Sequence, residues 1–302
     1  MSTPVPAADE RRAGRAAPNA AGPAGQGPPP GAAGEVRSTP VPAADENDVK
    51  SCCARAYQQD AVALILGESY HPGGLDLTRR LARSLDLRPG QRVLDIASGP
   101  GATAFLLASE FGVEVDGVDL GAQSVAAANA RAAAEGVADR VRFHVGDAER
   151  LPFDDAGFDA VVCECAFCTF PDKPTAASEM ARVLRPGGRL GITDVALDPA
   201  RLDAELQTLA GWVACLADAR PVEEYVALLG AAGLTTTVRE SHDGALARMI
   251  EQIDARLVAF RLANLPALAA VDFDQARSRT ALAGRAVADG IAGYALLVAD
   301  KG

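Results

Sequence analysis

Between Arg92 and Val195, short apolar runs alternate with stretches of helical period, and this alternation narrows the possible folds more than anything else in the chain. Arg92 to Ala97 reads as a buried strand, and Val113 to Leu120, Val141 to Val145, Phe158 to Cys165 and Arg189 to Val195 read as four more. Helical patterns lie between them over Ala102 to Glu110, Ser124 to Glu135 and Pro174 to Leu184, the last closed by Arg185-Pro186-Gly187-Gly188. Strands alternating with helices at this spacing imply a parallel sheet covered on both faces by its crossover helices. The expected class is α/β, a doubly wound and mostly parallel sheet.

The flanks add helices. Asp48 to Leu87 has helical period, broken at His71-Pro72-Gly73-Gly74. Beyond Leu197, helices are expected over Pro199 to Ala219, Pro221 to Ala232, Asp243 to Leu262 and Asp272 to Ala288, and the strand-like runs Thr235 to Ser241 and Tyr294 to Asp300 extend the sheet. Residues 1–47 hold nine of the 19 prolines and no aromatic residue. Such a segment buries too little apolar surface to offset its ordering entropy, so it is expected to be disordered. Within it Ser2 to Glu10 recurs as Ser38 to Glu46, a replicated tail too short to be a solenoid unit. The expected layout is a tail over 1–47, an N-terminal helical segment with a cysteine pair over 48–88, a cofactor-binding domain over 89–198, and cap helices with closing strands over 199–302.

A net charge of -11 speaks against nucleic acid and anionic membrane surfaces as partners, since both need cationic patches. No run of about 18 apolar residues is present to span a bilayer. No signal-peptide pattern is visible, so the six cysteines are expected as reduced thiols in a cytoplasmic protein. The only lysines are Lys50, Lys173 and Lys301, a scarcity that by itself points to no function.

In an open parallel sheet, ligands bind at the carboxyl ends of strands near the switch in strand order. The turn after the first strand is Asp95-Ile96-Ala97-Ser98-Gly99-Pro100-Gly101. Gly99 and Gly101 permit a sharp turn and a ligand close to backbone. Asp119 ends the second strand, where a carboxylate can accept two ribose hydroxyls, and Asp147 follows the third, where it can accept an adenine amine. A dinucleotide site prefers G-x-G-x-x-G. Here the run is Gly99-Pro100-Gly101-Ala102-Thr103-Ala104. As a set, the glycine pair, Asp95, Asp119, Asp147 and the Pro-Gly-Gly turn resemble the class I S-adenosylmethionine-dependent methyltransferases, over roughly Leu87 to Val195. The resemblance implies the Rossmann-like fold of that class and S-adenosyl-L-methionine as cofactor. It puts Gly99 and Gly101 at the methionine end, Asp119 on the ribose and Asp147 on the adenine. Asp95 would orient the glycine loop or reach the amino group through water.

The cysteines sort by position. Cys163 lies inside the fourth strand and suits core packing. Cys165 falls at that strand's carboxyl end, Cys168 in the loop beyond, Cys52 and Cys53 at the start of the ordered region, and Cys215 on the expected helix after strand five. Asp48-Val49-Lys50-Ser51-Cys52-Cys53, Cys165 and Cys215, in this order around the sheet elements, resemble the arsenite methyltransferases. That resemblance implies arsenic held by Cys165 and Cys215, with Cys52 or Cys53 swinging in, a metalloid–thiol substrate and a thiol reductant. Soft trivalent centres prefer thiolates, and three sulfurs would leave the arsenic lone pair facing the methyl carbon. One family cysteine is missing: before the first strand stands Tyr70-His71-Pro72-Gly73-Gly74, so the acceptor and the number of methyl groups stay open. Other readings remain. Cys163-x-Cys165-x-x-Cys168 can be drawn as a zinc site, the first two thiols sharing a strand face. His71 is either a base at the mouth of the site or a turn residue. Tyr57, Phe167 and Trp212 are pocket wall or core. The function expected is methylation of arsenite or a related soft species. The alternatives are a small-molecule O-, N- or C-methyltransferase with structural cysteines, or a non-catalytic cofactor-binding or metalloid-sensing protein.

Overall fold

The computed structural model describes residues 46–302 apart from 68, 208–214, 217, 264 and 270, with side chains from residue 50 onward. The expected tail over 1–47, save its last two residues, and Trp212 lie outside the described residues. Five parallel strands, β1 (Arg92–Ile96), β2 (Glu114–Asp119), β3 (Val141–Val145), β4 (Phe158–Glu164) and β5 (Leu184–Leu197), are joined by β6 (Leu234–Ser241) and β7 (Ala292–Lys301) in the order β3-β2-β1-β4-β5-β7-β6. β7 runs antiparallel to both β5 and β6. Neighbouring side chains on a strand face opposite ways, and each face has its own cluster. Val93, Val115, Val162 and Leu296 join α3 (Gly74–Ser84), α4 (Ala102–Phe111) and α5 (Ala122–Ala134) on one side. Leu94, Val161, Leu190 and Leu297 join α6 (Lys173–Val183) and α7 (Val222–Ala231) on the other. This double coverage is why β4 carries consecutive apolar residues from Ala160 to Cys163. α1 (Glu46–Tyr57) and α2 (Asp60–Leu66) precede the sheet, and α8 (Asp243–Ala263) and α9 (Phe273–Ala288) follow β6. Among the described residues no helix is long and apolar enough to cross a membrane.

Strand order reverses at β1, which pairs with β2 on one side and β4 on the other. The glycine turn therefore opens at the switch point, where a cleft outside the strand ends takes ligand. Gly101 caps α4 with φ 84°, a conformation costly for any residue with a Cβ, and a Cβ there would lie 2.5 Å from Phe143 Cζ. Gly117, in the middle of β2, leaves room for the same ring: a Cβ would meet Phe143 Cδ1 at 2.4 Å and Ser98 Oγ at 2.9 Å. Gly117→Ala is expected to cost about 1–3 kcal/mol by overpacking. Chemical denaturation checks this, and an unchanged midpoint would contradict it.

Two expectations need correction. The helix expected over Pro199 to Ala219 is absent from its described part. Asp198 accepts from Ala200 N at 3.0 Å and Asp203 from Glu205 N at 2.9 Å, so each carboxylate starts a fresh turn. One 3₁₀ turn (Pro199–Arg201) results, and Cys215 stands in a turn at φ 61°. Strand five begins at Leu184, with the Pro-Gly-Gly segment bulged out between the pairs Phe158–Leu184 and Ala160–Arg189.

Candidate active site

The cleft at the switch point is walled by Gly99, Asp119 and Asp147 on the sheet side and by Cys53, Cys165 and Phe170 opposite. Asp119 pins both neighbouring loops, accepting from Gly99 N at 2.9 Å and Gly121 N at 2.7 Å. Burial pushes its carboxyl up, and those two N–H groups oppose the shift. Asp95 is buried beneath the loop. Its burial, together with the charges of Glu164 and Asp119, holds its carboxyl well above the usual range, and its Oδ2 has no protein partner. Asp147 does not stand alone as expected. Lys50 Nζ sits 2.8 Å from its Oδ2 and also pairs with Glu149, tying α1 across the cleft.

These residues fit S-adenosylmethionine. Space is open at the Gly99 Cα, where a Cβ would meet nothing within 4 Å. Asp95 Oδ2 and Ser98 Oγ are buried without partners beside the glycine turn. The carboxylates of Asp95, Asp119 and Glu164 gather close to one another, a set of charges that suits a cationic cofactor. Glu164 ends β4 at the cleft wall. In the structure it accepts from Thr103 Oγ1 at 2.6 Å, Thr78 Oγ1 at 2.9 Å and Thr193 Oγ1 at 3.4 Å, with His71 Nε2 3.5 Å away. His71 is thus a buried turn residue, its carbonyl accepting from Gly74 N at 3.2 Å, with its ring in this network.

The sulfur atoms of Cys165 and Cys215 lie 3.7 Å apart, with the Tyr57 hydroxyl 3.6 Å from Cys215. Cys165 opens on the cleft and Cys215 stands behind it. Both have left-handed backbone, φ 54° and 61°, which non-glycine residues adopt at a cost and only where the surroundings impose it. In the neutral pair Cys165 donates to Cys215, and Cys215 donates to the Cys165 carbonyl at 3.4 Å. The hydrogen bonds from Cys165 and Cys168, then Tyr57, and the charge of Lys173 draw the Cys215 thiol well below the usual range, against its burial. The two thiols titrate as a coupled pair, in which Cys215 is drawn down and Cys165 is pushed up. Cys53 lines the same cleft, its thiol pushed up to about 12 by burial and by the charges of Cys215 and Cys52, whereas Cys52 is not part of the wall.

The expected common face of Cys163 and Cys165 does not form. Cys163 packs in the cluster of Leu94 and Met180, while Cys165 borders the opposite cluster, because its positive φ breaks the strand alternation. Among the described residues no three His, Cys, Asp or Glu side chains gather into a metal-type cluster, so the zinc arrangement does not form; the Cys168 thiol instead joins Cys165 beside Cys215. Phe167 is core, 5.5 Å from the Tyr225 ring. Tyr57 stacks on Tyr70 at 6.1 Å along the cleft wall.

Asp194, buried in β5, accepts from Cys168 N at 2.9 Å and Val195 N at 2.7 Å. Burial and the Cys215 charge push its carboxyl up to about 7. The unfolded chain releases this proton near pH 4, about three units earlier, so the residue's contribution is complete below about pH 4 and is lost as pH rises toward 7. Asp194→Asn is expected to flatten the decline of Tm across that window. Identical slopes for the two proteins in thermal scans would contradict it.

A family model described as a methyltransferase domain matches residues 93–188. The 27-O-demethylrifamycin SV methyltransferase of Amycolatopsis mediterranei is 38% identical over 193 residues, covering 58% of this chain and 70% of that relative. Methyltransferase GfsG of Streptomyces halstedii is 37% identical over 164 residues, 53% of this chain and 59% of the relative. An arsenite methyltransferase of Halobacterium salinarum is 35% identical over 152 residues, 49% of this chain and 38% of the relative. The chain thus spans under two thirds of the length of these last two. Phosphoethanolamine N-methyltransferase 2 of Haemonchus contortus, crystallised with S-adenosyl-L-methionine, shares the fold with a TM-score of 0.72 at 24% identity, over 84% of this chain and 60% of that one. The chain belongs to the class I S-adenosylmethionine-dependent methyltransferases. S-adenosylmethionine is its cofactor, and these relatives differ in the acceptors their names state.

Proposed function

We propose that the chain methylates a soft, thiol-bound trivalent element, with arsenite as the representative acceptor held by Cys165 and Cys215. The single observation that supports this most is the 3.7 Å separation of the two sulfurs at the edge of the cofactor cleft. When bound, S-adenosylmethionine supplies a methyl carbon activated by its positive sulfur. Asp119 takes the ribose hydroxyls, and Gly99 leaves room for the methionine end. Asp95 and Glu164 face its positive charge. Asp147 would receive the adenine amine beside Lys50. Each thiol would displace one hydroxyl of arsenite, which leaves as water with the thiol proton; Cys215 and Cys165 supply two of the sulfurs and a small-molecule thiol completes the three. Tyr57, Tyr70 and Phe170 keep water from the reacting atoms. Positioning of this kind is worth about 7–11 kcal/mol, and little acid–base work is needed. The test is uptake of phenylarsine oxide, which bridges two close thiols. One equivalent should bind as read by intact mass, and none after Cys165→Ser or Cys215→Ser. Undiminished uptake by both variants would sink the proposal.

A second reading, methylation of an organic hydroxyl, is supported by the name of the rifamycin relative. His71 offers it no free ring nitrogen, since Nδ1 lies 3.3 Å from Pro72 O and Nε2 3.3 Å from Thr78 Oγ1.

A further inference from the structure

Lys173 stands at the first turn of α6, where a cation opposes the helix dipole, and its side chain is 5% exposed. An ammonium buried there is tolerable only if its donors are satisfied. All three are. Nζ donates to Cys168 O at 2.9 Å and Phe170 O at 3.0 Å, and it pairs with the Asp218 carboxylate. Asp218 also receives Arg220 Nη2 at 2.5 Å. Cys168 and Phe170 belong to the loop that leaves β4 through Cys165, while Asp218 lies three residues past Cys215. One ammonium therefore ties together the two stretches of chain that carry the paired thiols. Its three point contacts suit a compact ammonium better than the planar fork of arginine, which accounts for a lysine in a chain that otherwise uses arginine.

We infer that Lys173 and Asp218 form a positioning pair that seats Cys215 against Cys165. The left-handed backbone of Cys215 persists because this tie, with the Cys165 carbonyl and the Tyr57 hydroxyl, leaves it no easier arrangement. The inference rests on Cys215 being an acceptor thiol. Titratable groups facing Cys215 come from five elements: Cys53 and Tyr57 on α1, Cys165 and Cys168 after β4, Asp194 on β5, Lys173 on α6 and Tyr225 on α7. Lys173 is the cation among them.

The test reads the sulfurs directly in the full chain, by the rate at which the thiol oxidant diamide joins Cys165 to Cys215. Peptide mapping identifies the bond, and the rate is followed from pH 6 to 9. Native protein is expected to form this disulfide readily. Lys173→Met should slow it by about tenfold at pH 7 and move the midpoint of its pH profile up by about one unit. Asp218→Asn should slow it as well. If the single variants leave a buried charge that prevents folding, the double variant Lys173→Met with Asp218→Asn removes both charges and should show the same slow reaction. A lower melting temperature with native rate and native midpoint would mean a purely structural pair and overturn the inference. A native chain that forms the bond but takes up no phenylarsine oxide supports the pair while sinking the acceptor reading.

Discussion

Cys215→Ser is expected to lower methylation of arsenite by at least about 100-fold, beyond the 10–100-fold that loss of a supporting partner costs a metal site. The reason is chemical. A hydroxyl neither ionises at neutral pH nor binds a soft centre, and Cys215 is the thiol that its neighbours turn into a ready thiolate. Cys165→Ser should lose a similar factor, because the acceptor would then keep only Cys215 of its two proposed protein ligands. Both variants should bind S-adenosylhomocysteine normally, since neither sulfur touches the loops pinned by Asp119. Cys163→Ser alters a core residue on the other face and should change stability without selectively removing activity. Measured turnover with labelled cofactor, beside binding measurements for each variant, separates these outcomes. Native activity in Cys215→Ser would end the thiol reading.

Asp119→Ala carries the second large effect. It removes the acceptor of Gly99 N–H and Gly121 N–H as well as the proposed partner of the ribose hydroxyls. Hydrogen bonds to a charged group are worth about 1.5–3 kcal/mol each, so losing two should weaken S-adenosylhomocysteine binding by about 100-fold or more. Calorimetric titration checks it. Affinity within a few-fold of native would show that the ribose lies elsewhere.

The sheet could be read from sequence because it is buried on both faces. Val93 and Leu94 serve opposite clusters, so the run around them needs no alternation, and the same holds for Val161 and Val162. The glycine turn and Asp119 were equally readable, since strand ends and tight turns leave local marks. What was not readable depends on distant partners or local backbone exceptions. No local pattern announces that Lys50 reaches Asp147, or that three threonines from α3, α4 and β5 close on Glu164. Over 198–207 the helix expected after β5 gives way to short turns, because Asp198 and Asp203 bond their own backbone. Cys165 turns away from the Cys163 side through one positive φ, a reversal that strand periodicity cannot foresee. One signal was available and unused: lysine is so rare here that each is worth explaining. Lys50 spans the cleft, Lys173 ties the thiol-bearing segments, and Lys301 Nζ holds Ala181 O and Leu184 O at 2.7 Å.

The most direct measurement is mass spectrometry of the products formed from labelled S-adenosylmethionine by the native chain. Arsenite with a small thiol would compete in one mixture with 27-O-demethylrifamycin SV and phosphoethanolamine, the acceptors named for two relatives. Label is expected on arsenic, with the organic acceptors left unmodified. Label on either organic acceptor with none on arsenic would contradict the assignment of Cys165 and Cys215 as the acceptor's ligands.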